Sequence, residues 1–338
     1  MNIDKTVTDV FDFIASNVGK LTTSESPTLP DLSWVDVDAL LPDEETLTPE
    51  RFYRQLQTIP DIKFKTTNQL PFLEIRDGSF PSAIRTEFPE NNTVYVKHFR
   101  LKPEKPGRPV IVVVNGLNVD AAFDFYFNWW CLRFAAWGFD SVVVTIPYSQ
   151  ARTPKGSFSG QFIITPETKW TLLSVRQTFQ DIQLVVNRLK ADGAGEVGLF
   201  GVSYGGVMAG IYACNADNAD FSILCMPPVD MADLFSKWDF TEELRAREAK
   251  GETTMLTDPR VPALMSLCCM KPRIPTRKVF LAAGEFDHLV PPETIEKTNR
   301  AWGDMPWLKM YPTGHINTFA VNFRLINDLN RFLKKEIL

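Results

Sequence analysis

Glu196–Gly206, EVGLFGVSYGG, is the stretch whose reading decides the fold of this chain. An apolar run from Val197 to Val202 stops at Gly201-Val202-Ser203-Tyr204-Gly205. Val207, Met208, Ala209, Ile211, Tyr212 and Ala213 then follow at helical spacing. Strand, sharp turn and helix is the setting of the G-x-S-x-G motif, where the turn strains the backbone at the serine and exposes its hydroxyl. The residues two positions either side must then be small. Here they are Gly201 and Gly205, and Gly206 gives further clearance. The five-residue pattern is weak alone, and its flanks make Ser203 a candidate nucleophile. A plain strand-to-helix loop with an idle serine is the competing reading until partners are found.

The same strand–helix alternation extends in both directions. Val110–Val114 is a continuous β-branched run, as expected of a parallel strand buried on both faces, and it ends in Asn115-Gly116-Leu117-Asn118. An aromatic helix follows from Phe123 to Trp137, whose rings are read as core or as the lining of an acyl pocket, core being the commoner case. Ser141–Ile146 and Phe221–Met226 are further strands, and a long helix is expected from about Pro166 to Lys190. Val279–Ala283, Leu308–Tyr311 and a closing helix complete the pattern. The succession predicts an α/β fold with a doubly wound, mostly parallel sheet and right-handed crossovers. About 45 residues between Pro227 and Thr276 carry a mixed helical pattern with no clear strand. They sit where a lid over the strand ends would sit.

A serine that attacks an acyl carbon needs a base within reach, and the base needs an acid to orient it. Three predicted strand ends deliver Ser203, then Asp287 in Gly284-Glu285-Phe286-Asp287-His288-Leu289-Val290-Pro291, then His315 in Pro312-Thr313-Gly314-His315. Serine, acid, histidine is the chain order that the strand–turn–helix nucleophile requires. The chain has three histidines, which nearly forces the choice of base. His98 lies inside the strand predicted over Thr93–Lys102 and reads as structural. His288 adjoins the acid, and neighbouring residues at a strand end point opposite ways. Asp230, beyond the strand after the elbow helix, stays open as an alternative acid. One oxyanion donor is the backbone N–H of Tyr204, next after the nucleophile.

The G-V-S-Y-G elbow, the G-E-F-D-H-L-V-P segment and the late Gly314-His315 together resemble the α/β-hydrolase superfamily, over roughly Val94 to Leu338. The resemblance implies Asp287 as acid and His315 as base. It also implies the Leu117 N–H as second oxyanion donor, with a side-chain contact from Asn118 as the alternative. Many relatives have His-Gly where this chain has Asn115-Gly116. The tail GHINTFAVNFRLINDLNRFL is similar to those of poorly characterised hydrolases and leaves the substrate open. The implied activity is that of a serine hydrolase cleaving a carboxylic ester or related small acyl compound through an acyl-enzyme, with no cofactor and no metal. Thioester, amide, peptide or carbon–carbon cleavage and acyl transfer stay open, because fold does not settle substrate. A silent ligand-binding protein is the reading from another class. The lid is expected to bring Trp238 and Met265 to an acyl-binding wall, a peripheral helical ornament being the plainer alternative.

Composition bounds the rest. With 338 residues, 44% of them hydrophobic, the chain can bury a large core, and its net charge of −5 argues against nucleic acid as a partner. No apolar stretch approaches the ~20 residues of a membrane helix, and the first residues lack the pattern of a signal peptide. Five cysteines without C-x-x-C spacing fit a reduced, cytoplasmic setting. Residues 1–50 hold 11 acidic and 2 basic side chains. Ile3, Val7, Val10, Phe11, Ile14 and Val18 recur at helical steps there, and a second short helix is expected from Pro49 to about Gln57. We therefore expect an acidic, partly helical extension over 1–90, docked on the body or mediating oligomerisation, and an α/β domain over 91–338.

Overall fold

The structure, a computed structural model, describes residues 48–117, 124–165, 167–237, 241–252, 258, 260–315 and 322–338. Nine strands form one sheet: β1 (Lys65–Gln69), β2 (Leu73–Pro81), β3 (Thr93–Leu101), β4 (Val110–Val114), β5 (Asp140–Val144), β6 (Val197–Val202), β7 (Phe221–Cys225), β8 (Val279–Gly284) and β9 (Leu308–Tyr311). Their order is β1-β2-β3-β5-β4-β6-β7-β8-β9. The first three strands and β5 pair antiparallel. From β5 to β9 every neighbour is parallel. All of the parallel strands therefore finish at one edge, and the loops leaving that edge hold the candidate residues.

The helices are α1 (Pro49–Phe52), α2 (Asp124–Ala136), α3 (Thr168–Ala191), α4 (Tyr204–Asn215), α5 (Met231–Lys237), α6 (Glu242–Ala249), α7 (Arg260–Met265), α8 (Pro292–Ala301) and α9 (Phe323–Glu336). Every residue of β4, β6, β7 and β8 is buried. The alternation of a strand sends Val110, Val112 and Val114 to one face and Ile111 and Val113 to the other. The first face packs on α3, α4 and the segment after β7. The second packs on α2 and α9, where Trp130 and Phe134 lie 5.1 and 5.2 Å from the ring of Phe200. Those two aromatic residues of α2 are core, while Phe125 at its start is 77% exposed.

The boundary expected near residue 90 falls between two hydrogen-bonded strands, because β2 pairs with β3 along its whole length, from Leu73↔Leu101 to Pro81↔Thr93. Residues 65–101 thus belong to the sheet as one unit, and the helix expected from Pro49 to about Gln57 is shortened to Pro49–Phe52. The expected helical pattern between Ile3 and Val18 lies outside the described residues.

Residues 48–92 cover the polar side of α3. The Leu56 N–H donates to Oε1 of Gln183, and Nδ2 of Asn187 donates to the carbonyls of Leu56 and Thr58. Asp181 Oδ1 accepts from the Ser82 hydroxyl at 2.7 Å, and its Oδ2 accepts from Arg152 Nη1 at 2.8 Å. Arg152, fully buried, also donates to the Asn91 and Thr145 carbonyls. A helix whose pattern is amphipathic is in this way buried on nearly every side, with Gln177, Asp181, Gln183 and Asn187 hydrogen-bonded to the chain that covers them.

Between β7 and β8 lie α5, α6, α7 and a 3₁₀ turn at Leu267–Cys269, as the absence of strand patterning implied. Met231, Leu234, Phe235, Leu244, Val261, Leu264, Met265 and Leu267 are all buried and join the cluster on the α3 face. The hydroxyl of Tyr53 donates to the Leu264 carbonyl, tying this segment to the chain around α1. No described helix is long and apolar enough to cross a membrane.

Candidate active site

Ser203 sits between β6 and α4 with φ 55° and ψ −121°, a left-handed conformation that a residue with a Cβ adopts only at a cost. Its backbone is held on both sides: its N–H donates to the Cys225 carbonyl at 2.9 Å and its own carbonyl accepts from Val207 at 3.0 Å. The turn closes only because glycine flanks it. A Cβ on Gly201 would run into the carbonyl oxygen of Gly205, and a Cβ on Gly205 into that of Val114. The local sequence therefore dictates the strained turn, and the turn leaves Ser203 half-buried at the sheet edge.

Two strands away, β8 ends at Gly284, where a Cβ would strike the Thr313 carbonyl. This close approach lets the chain after β9 run beside the chain after β8. Glu285 N–H donates to Tyr311 O at 2.7 Å and Phe286 N–H to Thr313 O at 3.1 Å. Asp287 and His315 are brought together by that crossing, each 3% exposed. Nδ1 of His315 lies 2.8 Å from Oδ2 of Asp287, and Nε2 lies 3.0 Å from Ser203 Oγ. The other oxygen of Asp287 accepts the N–H groups of Leu289 and Val290 at 2.9 and 2.8 Å. These two bonds fix the orientation of the carboxylate.

The three residues read from separate strand ends form one hydrogen-bonded chain. Asp230, the alternative acid, instead caps α5: its Oδ1 accepts the Asp233 N–H at 3.1 Å. His288 is exposed while its neighbour Asp287 is buried, and it lines a cleft of about 340 Å³ with Phe286, Pro291 and Glu293. His98 is buried in β3, where Nδ1 accepts from Arg76 Nη2 at 2.9 Å and the ring lies 5.5 Å from that of Phe64. Burial first, then the charges of Arg76 and Arg100, push its imidazole down to about 3.

Tyr204 is the first residue of α4, so its N–H has no acceptor within the helix. The loop after β4 passes close by. A Cβ on Gly116 would stand 3.3 Å from Val202 O and 3.8 Å from Ser203 Cβ, which leaves Leu117 next to the elbow. Asn118 and Trp238 lie outside the described residues. Met265 is 1% exposed and packs in the apolar cluster with α3. Sequence reasoning missed Gly284 and the Cys225 carbonyl. The glycine was visible in Gly284-Glu285-Phe286-Asp287, but its role depends on a chain 29 residues later. Among the described residues no group of three His, Cys, Asp or Glu side chains stands ready to hold a metal ion.

A family model described as Alpha/beta hydrolase domain containing 18 matches residues 44–244. The chain belongs to this family. The match takes in β1 to β7 and the elbow, and it begins before the N-terminal strands, in keeping with their place in the sheet. Two uncharacterized proteins of Mycobacterium tuberculosis, MT2702 of strain CDC 1551 / Oshkosh and Rv2627c of strain ATCC 25618 / H37Rv, are 27% identical over 237 residues, 68% of this chain. The match spans about half of each of these relatives, 54% of their length. Among solved structures, acetyl xylan esterase 1 from Thermoanaerobacterium sp. JW/SL YS485 superposes with a TM-score of 0.60 at 16% identity, over 95% of this chain and 98% of its own. Acylaminoacyl peptidase from Pyrococcus horikoshii gives 0.57 at 14% identity, over 79% of this chain and 42% of its own. At such identities the likeness speaks for the shared α/β-hydrolase fold alone.

Proposed function

We propose that this α/β-hydrolase family member is a serine hydrolase that cleaves a carboxylic ester, or a related small acyl compound, through an acyl-enzyme. The observation that carries the reading is the unbroken chain Ser203 Oγ, His315 Nε2, His315 Nδ1, Asp287 Oδ2 at 3.0 and 2.8 Å, with the serine on a strained elbow. Ser203 attacks the acyl carbon as His315 takes the hydroxyl proton. Asp287 holds the tautomer in which Nδ1 carries a proton and Nε2 is free to accept one. The N–H groups of Tyr204 and Leu117 receive the oxyanion. Collapse of the tetrahedral intermediate releases the alcohol, which takes its proton from His315. Water, deprotonated by the same histidine, then attacks the acyl-enzyme, and the acid leaves as Ser203 regains its proton.

In this reading the segment from α5 to α7 forms a cover over the strand ends and supplies the acyl-binding wall. Met265 is buried, so it takes part only as a wall behind the first layer. A cytoplasmic setting fits the five free thiols, of which Cys131, Cys214 and Cys225 are buried. The test is labelling with a fluorophosphonate, followed by a panel of p-nitrophenyl esters of increasing chain length. Labelling of the wild type but not of Ser203→Ala supports the proposal. Equal labelling of both, or none of either together with no turnover on the panel, removes it in favour of a silent binding protein.

A further inference from the structure

Cys268 and Cys269 are neighbours in the chain and also in space. Their Sγ atoms lie 3.9 Å apart, and both thiols are free, Cys268 half-buried and Cys269 exposed. Adjacent side chains on an extended chain point opposite ways. This pair instead occupies the 3₁₀ turn Leu267–Cys269, whose tighter winding lets both sulfurs lie on one side. The turn is held from several directions. The Cys268 N–H donates to the Val229 carbonyl and the Cys269 N–H to that of Ser266, both at 3.0 Å. Trp302 Nε1, at the end of α8, donates to the carbonyls of Leu267 at 3.2 Å and Met270 at 2.8 Å. Leu267 fills the space beside Gly210 of α4, where a Cβ would stand 2.5 Å from its Cδ1. A fixed turn thus presents two thiols at the surface, while Cys131, Cys214 and Cys225 are buried.

We propose that Cys268 and Cys269 form a redox modification site, at which a small disulfide of the glutathione class converts the two thiols to a disulfide between adjacent residues. Exposed Cys269 attacks first. Its thiolate forms a bond to one sulfur of the oxidant, whose S–S bond breaks and releases one small thiol. Cys268 Sγ, 3.9 Å away, then attacks Cys269 Sγ. The Sγ–Sγ bond forms, the mixed disulfide breaks and the second small thiol leaves. The protein gives up two electrons and two protons, and one oxidant molecule becomes two thiols. Burial, with the nearby charge of Asp230, pushes the Cys268 thiol up to about 12, which suits it to the second, intramolecular step rather than the first. Consecutive Cα atoms are about 3.8 Å apart across a trans peptide, inside the roughly 4.4–6.8 Å that a disulfide prefers. The closed ring is therefore strained and exposed, and a small thiol reopens it. Neither Ser203 nor His315 takes part, so the site stands apart from the hydrolytic reading.

The experiment is mass spectrometry, on the intact protein and on its peptides, of the full chain treated under native conditions with excess oxidised glutathione. The wild type should lose two hydrogens per chain, with both missing thiols in the peptide that carries Cys268 and Cys269. Reduced glutathione alone should restore them. Cys268→Ser should stop at one glutathione on Cys269, because the resolving sulfur is gone. Cys269→Ser should react at least about tenfold more slowly than wild type, since only the half-buried thiol of the pair is left. The serine variants change one atom each, and their melting curves check that both are folded. A wild type that keeps all five thiols, or that stops at a mixed disulfide on Cys269, overturns the proposal. So does loss of two hydrogens at any other pair of cysteines, a dimer linked through Cys269, or a Cys269→Ser variant modified as fast as wild type.

Discussion

Asp287 divides its two carboxylate oxygens between the chain and the site. Oδ1 is committed to the Leu289 and Val290 N–H groups, and Oδ2 is left for His315 Nδ1 at 2.8 Å. The backbone bonds hold the carboxylate in one rotamer, so the histidine ring is oriented by a group that cannot turn away. Asp287→Asn should leave the fold in place and lower kcat by about 10⁴, because the amide favours the wrong histidine tautomer. Asp230→Asn should cost at most ~1 kcal/mol of stability through the cap of α5 and little turnover. Steady-state kinetics of the two variants side by side decide the acid: the reverse order would exchange their roles.

Ser203→Ala keeps the backbone bonds to Cys225 and Val207 and removes only the hydroxyl. We expect the melting curve to stay within about 0.5 kcal/mol of wild type while acyl hydrolysis falls by roughly 10³-fold or more. An alanine variant with wild-type turnover on any ester of the panel would take Ser203 out of the mechanism.

His98 makes a prediction about acid stability. Its native pKa, about 3, lies below the ~6.5 of an unfolded histidine. Above pH 6.5 the imidazole is neutral in both states and costs nothing. As the pH falls from about 6.5 toward 3 the unfolded chain binds a proton that the native protein refuses, and stability is lost at up to ~1.4 kcal/mol per pH unit. Replacing His98 by Gln keeps a side-chain oxygen for Arg76 and removes the titration. Its Tm should fall less steeply than that of wild type between pH 6.5 and 4. Parallel curves would mean that other groups set the acid limit.

Arg152 and Asp181 test whether residues 82–92 are held to the body through α3. Both are buried, at 2.8 Å from each other, and both bond to that segment. Arg152→Ala leaves a buried carboxylate unpaired and should cost about 3–5 kcal/mol, a Tm loss on the order of 10 °C. Combining Arg152→Met with Asp181→Leu should recover much of that loss. Urea melts of the single and double variants measure both, and a single variant as stable as wild type would show that the network contributes nothing.

The sequence by itself determined those parts whose cause is local. Val110–Val114, Val197–Val202 and Val279–Gly284 are buried on both faces, so their apolar runs announce them as central strands. The elbow at Ser203 is local at Gly201, whose Cβ would meet Gly205 and Gly206, whereas Gly205 is required by the Val114 carbonyl of the neighbouring strand. Chain order then nominated Asp287 and His315. Tertiary structure decided what depends on distant chain. β1, KTTNQ, is exposed at every position and has no apolar alternation to reveal it. Its strand state comes from backbone pairing with β2, which in turn pairs with β3. The burial of the polar side of α3 follows from chain more than 80 residues away in sequence. Asp230 and Asp287 look alike in sequence, each just past a strand. Only the crossing at Gly284 and Thr313, where the lack of a Cβ lets two loops touch, brings His315 to the carboxylate of Asp287.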